Sequence, residues 1–466
     1  MASRVLLILF LISASTPAAS ATEEFRGFWV CPWEMNTPGQ VDEVVAFAQS
    51  HNFNAVLFEC RYRGDALYVP NKVDRRFPNP EPRSPHIGGQ PASFDPLGEL
   101  VTKGHAAGLQ VHAWVTTFVV ANKGTPTPPG QPFVAHPDWL SRNAAGDVWD
   151  PYGMAWLDPA LPEVQDYLAA VFLDIVANYD VDGLHLDYVR YTSPAFGRNA
   201  RALELFKTET GTAAADDETA FATWRRGRIG AFVSRLYGDI AALKPACRLT
   251  AAVFASRRGT AYDDCLQDWT AWLAGGYVDA VVPMAYGRDA AVVGKQIGDA
   301  VTVAAGRHVY AGLMVPEVKD DDFGEAVGAE MVAKAAAARR AGAQGIIVFS
   351  YKGMIKKDDL VARALAADTF VAAVTPPAMA WKAPVATAHL PIVAVKAGDG
   401  ARYAVVVKEG VPRRYAYLLA KEISARTAAK AAINDAGSKR YRVYAGAYDD
   451  RGGAEDLRER LLNLGY

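Results

Sequence analysis

Asp187, within the stretch "VDGLHLDYVRY" (Val181 to Tyr191), is a carboxylate at the end of an otherwise apolar run. Burying an ionised carboxylate without a partner is costly, so its place there points to a paired charge or to acid–base chemistry. Two more carboxylates occupy comparable places, Glu59 in "NAVLFECR" and Asp65 in "RGDALY". One carboxyl that gives a proton, with a second that acts as base or nucleophile, is a minimal set for hydrolytic work. His185 stands two residues before Asp187, Arg61 two after Glu59, and His112 two before Trp114. On a strand, residues two apart share a face, so each of these pairs is expected on one side. Arg190, Trp33 and Tyr286 lie at or just beyond the ends of similar runs and complete the candidate substrate-binding set. His112, His185 and Asp187 also form a conceivable metal-ligand set. The chain has no H-x-H or H-E-x-x-H pattern, however, and neither a metal nor any other cofactor is expected.

These residues sit on short apolar runs that alternate with amphipathic segments from residue 25 to about 370. The runs read "FRGFWVC", "NAVLFECR", "LQVHAWVTT", "VDGLHLDYV", "RLTAAVFAS", "VDAVVPMAY", "HVYAGLM" and "QGIIVFSY", each followed by a helical pattern. Near-continuous apolar strands separated by helices predict a parallel sheet covered on its faces. Repeated in this way they predict an α/β fold, a closed (β/α)8 TIM-type barrel. An open doubly wound sheet would call for a G-x-G-x-x-G after the first strand, and none is present. In such a barrel the site lies at the C-terminal strand ends, where Glu59, Asp65, Trp114, Asp187 and Tyr286 are found. Glu34 and Glu317 are lesser carboxylate candidates at strand ends, and Asp158, before a proline, is expected to cap a helix. The excursion from Phe118 to Ala160, about forty residues, is long for a βα connection. Its Trp149, Tyr152 and Trp156 suit either stacking on sugar rings or packing the loop down.

The chain has 466 residues, 51% of them hydrophobic, and a formal net charge of −2, so a large core is available and nucleic acid is not an indicated partner. Residues 1–21 read as a secretory signal with an A-x-A site at Ala19-Ser20-Ala21. Its apolar run is too short for a membrane-spanning helix. The expectation is therefore an exported protein of the periplasm or cell envelope. Cys31, Cys60, Cys247 and Cys265 show no C-x-x-C spacing; they read as disulfide candidates in an oxidising compartment or as buried free thiols. The barrel is assigned to 22–374, and a Pro- and Ala-rich linker to 375–399. At 400–466, the order strand, helix, strand, strand, helix predicts a small α+β domain.

The ordered series "FRGFWV", "FECRYRGDALY", "VHAWV", "LDPALPEVQDY", "VDGLHLDYVRY" and "VDAVVPMAYG" resembles the family 10 glycosyl-hydrolase-like proteins of bacteria. The resemblance implies cleavage of glycosidic bonds in envelope glycans, with peptidoglycan strands as the substrate. On that reading Asp187 is the general acid, and Glu59 or Asp65 the second carboxylate. Some family members carry adjacent aspartates in the strand 4 motif, whereas Tyr188 follows Asp187 here. That departure motivates one alternative, a non-catalytic glycan-binding or division scaffold. A metal-dependent carbohydrate esterase using His112, His185 and Asp187 is the other. The tail, through "YRVYAGAYDDRGGAEDLRERLLNLGY", resembles a SPOR domain, which implies binding to peptidoglycan strands that have lost their stem peptides.

Overall fold

The computed structural model describes residues 23–382, 392–397, 400–427, 429–437 and 440–463. The signal segment at 1–21 lies outside the described residues. Eight parallel strands form the barrel: β1 (Phe25–Val30), β2 (Ala55–Tyr62), β3 (Gln110–Thr116), β4 (Gly183–Asp187), β5 (Arg248–Phe254), β6 (Ala280–Met284), β7 (His308–Met314) and β8 (Gly345–Phe349). Each pairs with its sequence neighbours, and β1 pairs with both β2 and β8, which closes the cylinder. The strands are apolar throughout because both faces are buried, one against helices and the other inside the barrel. Helices start where their caps dictate. Thr37 and Gln40 form a capping box before Pro38–Ser50, and Asp217 caps Glu218–Leu243 by accepting from the Ala220 N–H.

The barrel interior is filled by large rings, and glycines stand opposite two of them. Phe25 is in register with Gly345, where an added Cβ would lie 2.5 Å from the Phe25 Cβ. His112 is in register with Gly183, where a Cβ would come within 2.3 Å of the imidazole. No side chain fits at either position.

The stretch expected to be a linker divides into two parts of different kind. Residues through Lys382 cross the N-terminal floor of the barrel: Met379 is buried with Phe25 and Tyr310, and Trp381 donates to Asp279 Oδ1 at 2.7 Å while meeting the His308 ring edge-on. Lys382 Nζ pairs with Asp279 Oδ2 at 2.9 Å. Proline and alanine content hid this, because a plug needs only a few anchoring side chains and no period. Residues 383–391 lie outside the described residues, and Ile392–Ala397 form a strand, β9, rather than linker. It pairs antiparallel with β10 (Gly400–Pro412), and β11 (Ala431–Gly437) and β12 (Arg440–Tyr448) complete a sheet in the order β9-β10-β12-β11. Helices Arg413–Thr427 and Arg451–Asn463 bury Leu419, Ile423, Leu457 and Leu461. Among the described residues no helix is long and apolar enough to cross a membrane. The four cysteines are buried and unpaired.

Candidate active site

The strand register decides which predicted side chains meet. Glu59, Trp114, His185 and Thr250 lie in register across β2, β3, β4 and β5, and Thr116 and Asp187 form the next pair toward the mouth. Thr116 Oγ1–H donates to Glu59 Oε1 at 2.6 Å. Asp187 is the one residue of β4 that keeps partial solvent access. Its Oδ1 accepts the N–H of Tyr188 at 2.7 Å. Tyr188 has a left-handed backbone, φ 51°, a sparsely occupied region for an aromatic residue. That turn brings the Tyr188 amide back onto the carboxylate. A sequence shows the tyrosine but not its dihedral, so Tyr188 was not among the expected site residues.

Both carboxyls are raised, and Glu59 feels the charge of Asp187. Glu59 is held well above the usual carboxylate range, chiefly by burial and further by the charges of Asp187, Asp65 and Glu34, with the Thr116 hydroxyl opposing. Burial pushes the Asp187 carboxyl up to about 6, offset by the Tyr188 N–H, the Arg190 charge and the Trp114 indole. The Trp114 N–H is buried without a hydrogen-bond partner among the described residues and acts on Asp187 as a nearby dipole. Glu34, a lesser candidate in the sequence, joins this group from the loop after β1. It is buried, accepts the Cys31 N–H at 2.7 Å and the Lys352 N–H and Ser350 hydroxyl at 3.2 Å, and its pKa is raised by burial.

Arg61 departs from the expected face. The ladder slips between Glu59 and Arg61, so that Glu59 opposes Trp114 while Arg61 opposes Val115, leaving Cys60 as an extra residue. Such a bulge turns the next side chain to the other face. Arg61 is fully buried there, donating to Glu81 through Nε at 2.9 Å and Nη2 at 2.6 Å, and to the Thr116 and Thr117 carbonyls. Glu81 also accepts from the Tyr167 hydroxyl at 3.0 Å. Arg61 is therefore neither partner to Glu59 nor open to substrate.

Asp65 lies past a turn at Arg63 and Gly64, both with positive φ, on a two-residue strand paired back onto β2. It is fully buried beneath the loop near Ser84 and Gln131, and burial raises its pKa to about 7. Asp158 does not cap the following helix. That helix starts at Pro162 with Leu161 as its cap residue, and Asp158 instead accepts the Ala160 N–H and the Tyr191 hydroxyl, each at 3.1 Å.

His185 is buried and fully engaged. Trp29 Nε1–H, a donor only, gives its proton to His185 Nε2 at 3.1 Å, so the remaining proton sits on Nδ1 and points to Thr250 Oγ1 at 2.8 Å. Desolvation drives its pKa down to about 3, so the ring is neutral. With both nitrogens used, it orients Trp29 and the floor of the mouth and has no lone pair left for a ligand. His112 lies one layer deeper, in register with Gly183, with its ring edge-on to Phe25. The triad the esterase reading required is not brought together, and among the described residues no group of His, Cys, Asp and Glu is placed to hold a metal.

Aromatic rings surround the carboxyls. Arg190 lies over Trp156, Tyr188 and Phe254 at 4.9, 5.1 and 4.9 Å, and acts on Asp187 through its field. Tyr286 stacks on Phe349 at 5.8 Å. Trp33 is 45% exposed, meets Tyr62 edge-on and His86 at a tilt, and makes a shelf outside β1 and β2. Tyr62 and His86 were not expected there, since only the folded loop 77–95 carries His86 to Trp33. In the long excursion Trp156 is buried and donates to Asp150 at 2.9 Å, and Trp149 packs on Phe133. Tyr152 alone of the three named rings is well exposed.

Comparison with known proteins agrees with this architecture. Residues 24–318 match the model of a family described as "Glycosyl hydrolase-like 10". The chain is 28% identical over 262 residues to the glycosyl hydrolase DigH of Escherichia coli strain K12, covering 51% of this chain and 55% of that protein. It is 23% identical over 311 residues to the glycosyl hydrolase YngK of Bacillus subtilis, covering 59% and 57%. The chain thus spans little more than half the length of these relatives. Among solved structures, the glycoside hydrolase domain of PgaB from Bordetella bronchiseptica aligns with a TM-score of 0.55 at 14% identity, over 74% of this chain and 98% of that domain. The catalytic domain of a β-amylase from Paenibacillus polymyxa gives 0.53 at 10% identity, over 76% and 99%. At such identities the likeness is one of fold. The family match, extending from β1 past β7 and containing the whole carboxyl group, shows that this chain belongs to the glycosyl hydrolase-like 10 family.

Proposed function

We propose that the protein hydrolyses glycosidic bonds of bacterial cell-wall glycan, with Asp187 and Glu59 as the working carboxyl pair. The observation that carries this reading is a pair of buried carboxyls at neighbouring strand ends of the barrel mouth, Glu59 feeling the charge of Asp187, with an exposed aromatic shelf beside them. Two groups whose environments push their pKa values apart divide the acid and base roles. Glu59, the more strongly raised, keeps its proton and serves as acid. Asp187, nearer solvent, ionises first and acts as nucleophile or as base for water. This reverses the general-acid role that the sequence reading gives Asp187. Turnover should then rise as pH increases through about 6, where Asp187 ionises, and decline on the alkaline side as Glu59 loses its proton. The test is release of sugars, read by mass spectrometry, from peptidoglycan stripped of stem peptides and from intact peptidoglycan across pH 4 to 9. A rate that falls steadily from pH 5 upward would reject the assignment, and binding without release would favour a scaffold.

The export signal at 1–21 and the SPOR-like tail at 400–466 support an address at the cell wall. In this proposal the tail holds the enzyme to peptide-free strands and raises local substrate concentration. A chain ended after Lys382, which keeps the Trp381 plug, should cleave soluble oligosaccharides at the full-length rate and bind sacculi more weakly. Equal sacculus binding by both forms would remove the role assigned to the tail.

A further inference from the structure

The aromatic shelf beside the carboxyls carries an unspent donor and an unspent acceptor. Arg63 is 6% exposed, with its guanidinium carbon 4.5 Å from the centre of the Tyr62 ring. Its Nε is buried without a hydrogen-bond partner, and the guanidinium makes no ion pair among the described residues. The charge acts only through its field, opposing the rise of the Asp65 carboxyl and adding to the burial that lowers the His86 imidazole. Asn122 donates through Nδ2 to the Tyr62 hydroxyl at 3.3 Å, which leaves its Oδ1 buried with no partner. Buried polar atoms are ordinarily paired. Here one donor and one acceptor are left over, on two residues that both touch the same ring.

That ring belongs to the catalytic mouth. Tyr62 ends β2 and feels the charge of Glu59, and Tyr188, next to Asp187, is influenced by Glu59 and Tyr62 in turn. Tyr62, His86 and Asn122 are half-buried, so the leftover pair lies just under the surface of the shelf rather than in the core. Trp33, edge-on to Tyr62, adds an exposed apolar face. Few sugar substituents complement all three features. A hydroxyl has no apolar part for Trp33, and a carboxylate has no donor for Asn122 Oδ1. An ammonium has no acceptor for Arg63 and sets a second positive charge beside it. An amide that ends in a methyl group has an acceptor, a donor and an apolar end.

We infer that Trp33, Tyr62, Arg63 and Asn122 form a subsite for the 2-acetamido group of an amino sugar, Arg63 donating to its carbonyl, Asn122 Oδ1 accepting its N–H and Trp33 covering its methyl. The inference rests on the glycan-hydrolase reading and names the substituent the site requires. N-acetylated strands are accepted, and strands whose acetyl groups have been removed are refused. The refusal has two sources: deacetylation leaves Arg63 without its acceptor, and it turns a neutral amide into a cation next to the guanidinium.

The test uses the full chain and its Arg63→Met and Asn122→Asp forms at about pH 6, where a free sugar amine is a cation. Substrates are peptide-stripped glycan strands, the same strands enzymatically de-N-acetylated, and the latter re-acetylated with acetic anhydride. Binding is measured by calorimetry in an Asp187→Asn background, and KM and kcat in the active forms. Deacetylation should lower kcat/KM of the parent roughly 10- to 100-fold, the range for losing hydrogen bonds to a charged group, and re-acetylation should restore it. Arg63→Met should lose most of this discrimination by handling the acetylated strands less well. Asn122→Asp, which offers a carboxylate to an ammonium, should move the preference toward deacetylated strands. Equal handling of the two polymers by the parent, or parent-like discrimination in whichever variant folds, would overturn the subsite. Tighter binding of a polyuronate oligomer than of an N-acetylglucosamine oligomer of equal length would show that Arg63 takes an anion, and would overturn the amide reading. Cleavage without discrimination would overturn the subsite alone. Discrimination in binding without cleavage of any strand would overturn the hydrolase alone, and absence of both would overturn both.

Discussion

Asp187→Asn is expected to lower turnover by roughly 10²- to 10⁴-fold, the range for removing a positioned acid–base group, while making the folded protein more stable at pH 7. The two effects share one cause. Burial has raised the Asp187 pKa from 3.8 to about 6. A carboxyl whose folded pKa is raised favours the fold fully below its unfolded pKa, and that contribution is lost as pH climbs through the folded value. At pH 7 the ionised group therefore costs the native state on the order of 2 kcal/mol, allowing for its partial exposure. Asparagine keeps an oxygen to accept the Tyr188 N–H but carries no charge. The gain should appear in urea unfolding at pH 7, shrink to a small part of that value near pH 4, where the folded carboxyl is protonated, and vanish only below the unfolded pKa of 3.8, where both states are protonated. An Asp187→Asn protein as active as its parent would end the catalytic assignment. A stability gain that persists unchanged at pH 4 would show that the buried charge is not its source.

Arg61→Ala should behave in the opposite way, costing about 3 to 5 kcal/mol, because it leaves Glu81 as an unpaired buried charge. Arg61 and Glu81 are both fully buried, joined by charge-assisted hydrogen bonds, with the Thr116 carbonyl also served by the guanidinium. Thr116 in turn holds Glu59, so the loss will be felt in activity if the β3 end shifts. The readout that separates a structural from a catalytic role is the pH–rate profile of whatever folded protein remains. Its acid limb, set by Asp187, should stay near 6. The double replacement Arg61→Met with Glu81→Leu, which removes both charges, should recover much of the stability. A single Arg61→Ala protein with an unchanged unfolding midpoint would refute the ion-pair account.

The contrast between these two residues shows how far a sequence reaches. Alternation of apolar runs and helical segments was enough to specify eight strands and their helices, because parallel strands buried on both faces leave a continuous apolar signature. The ends of those strands, and hence Glu59, Asp187 and Tyr286 near one mouth, followed from barrel topology. Trp33 and Arg190, named from position alone, also lie around that mouth.

What the sequence could not carry was anything set by a single backbone deviation or by contacts distant along the chain. The bulge at Cys60 separates Glu59 from Arg61 despite their two-residue spacing, since a one-residue slip reverses the face of the next side chain. The left-handed turn at Tyr188 aims an amide at Asp187, and no residue type announces it. His185 looked like a ligand until its two nitrogens met Trp29 and Thr250, residues 156 and 65 positions away. The plug at Met379 and Trp381 reads as linker in one dimension because it is recognised only by the barrel floor it covers. Residue type and period therefore determined the barrel and the strand ends that present its chemistry. Only the tertiary structure decided which carboxyls sit together, which cations are already spent in the core, and that both nitrogens of His185 are engaged, because each of these depends on distances between segments far apart in sequence.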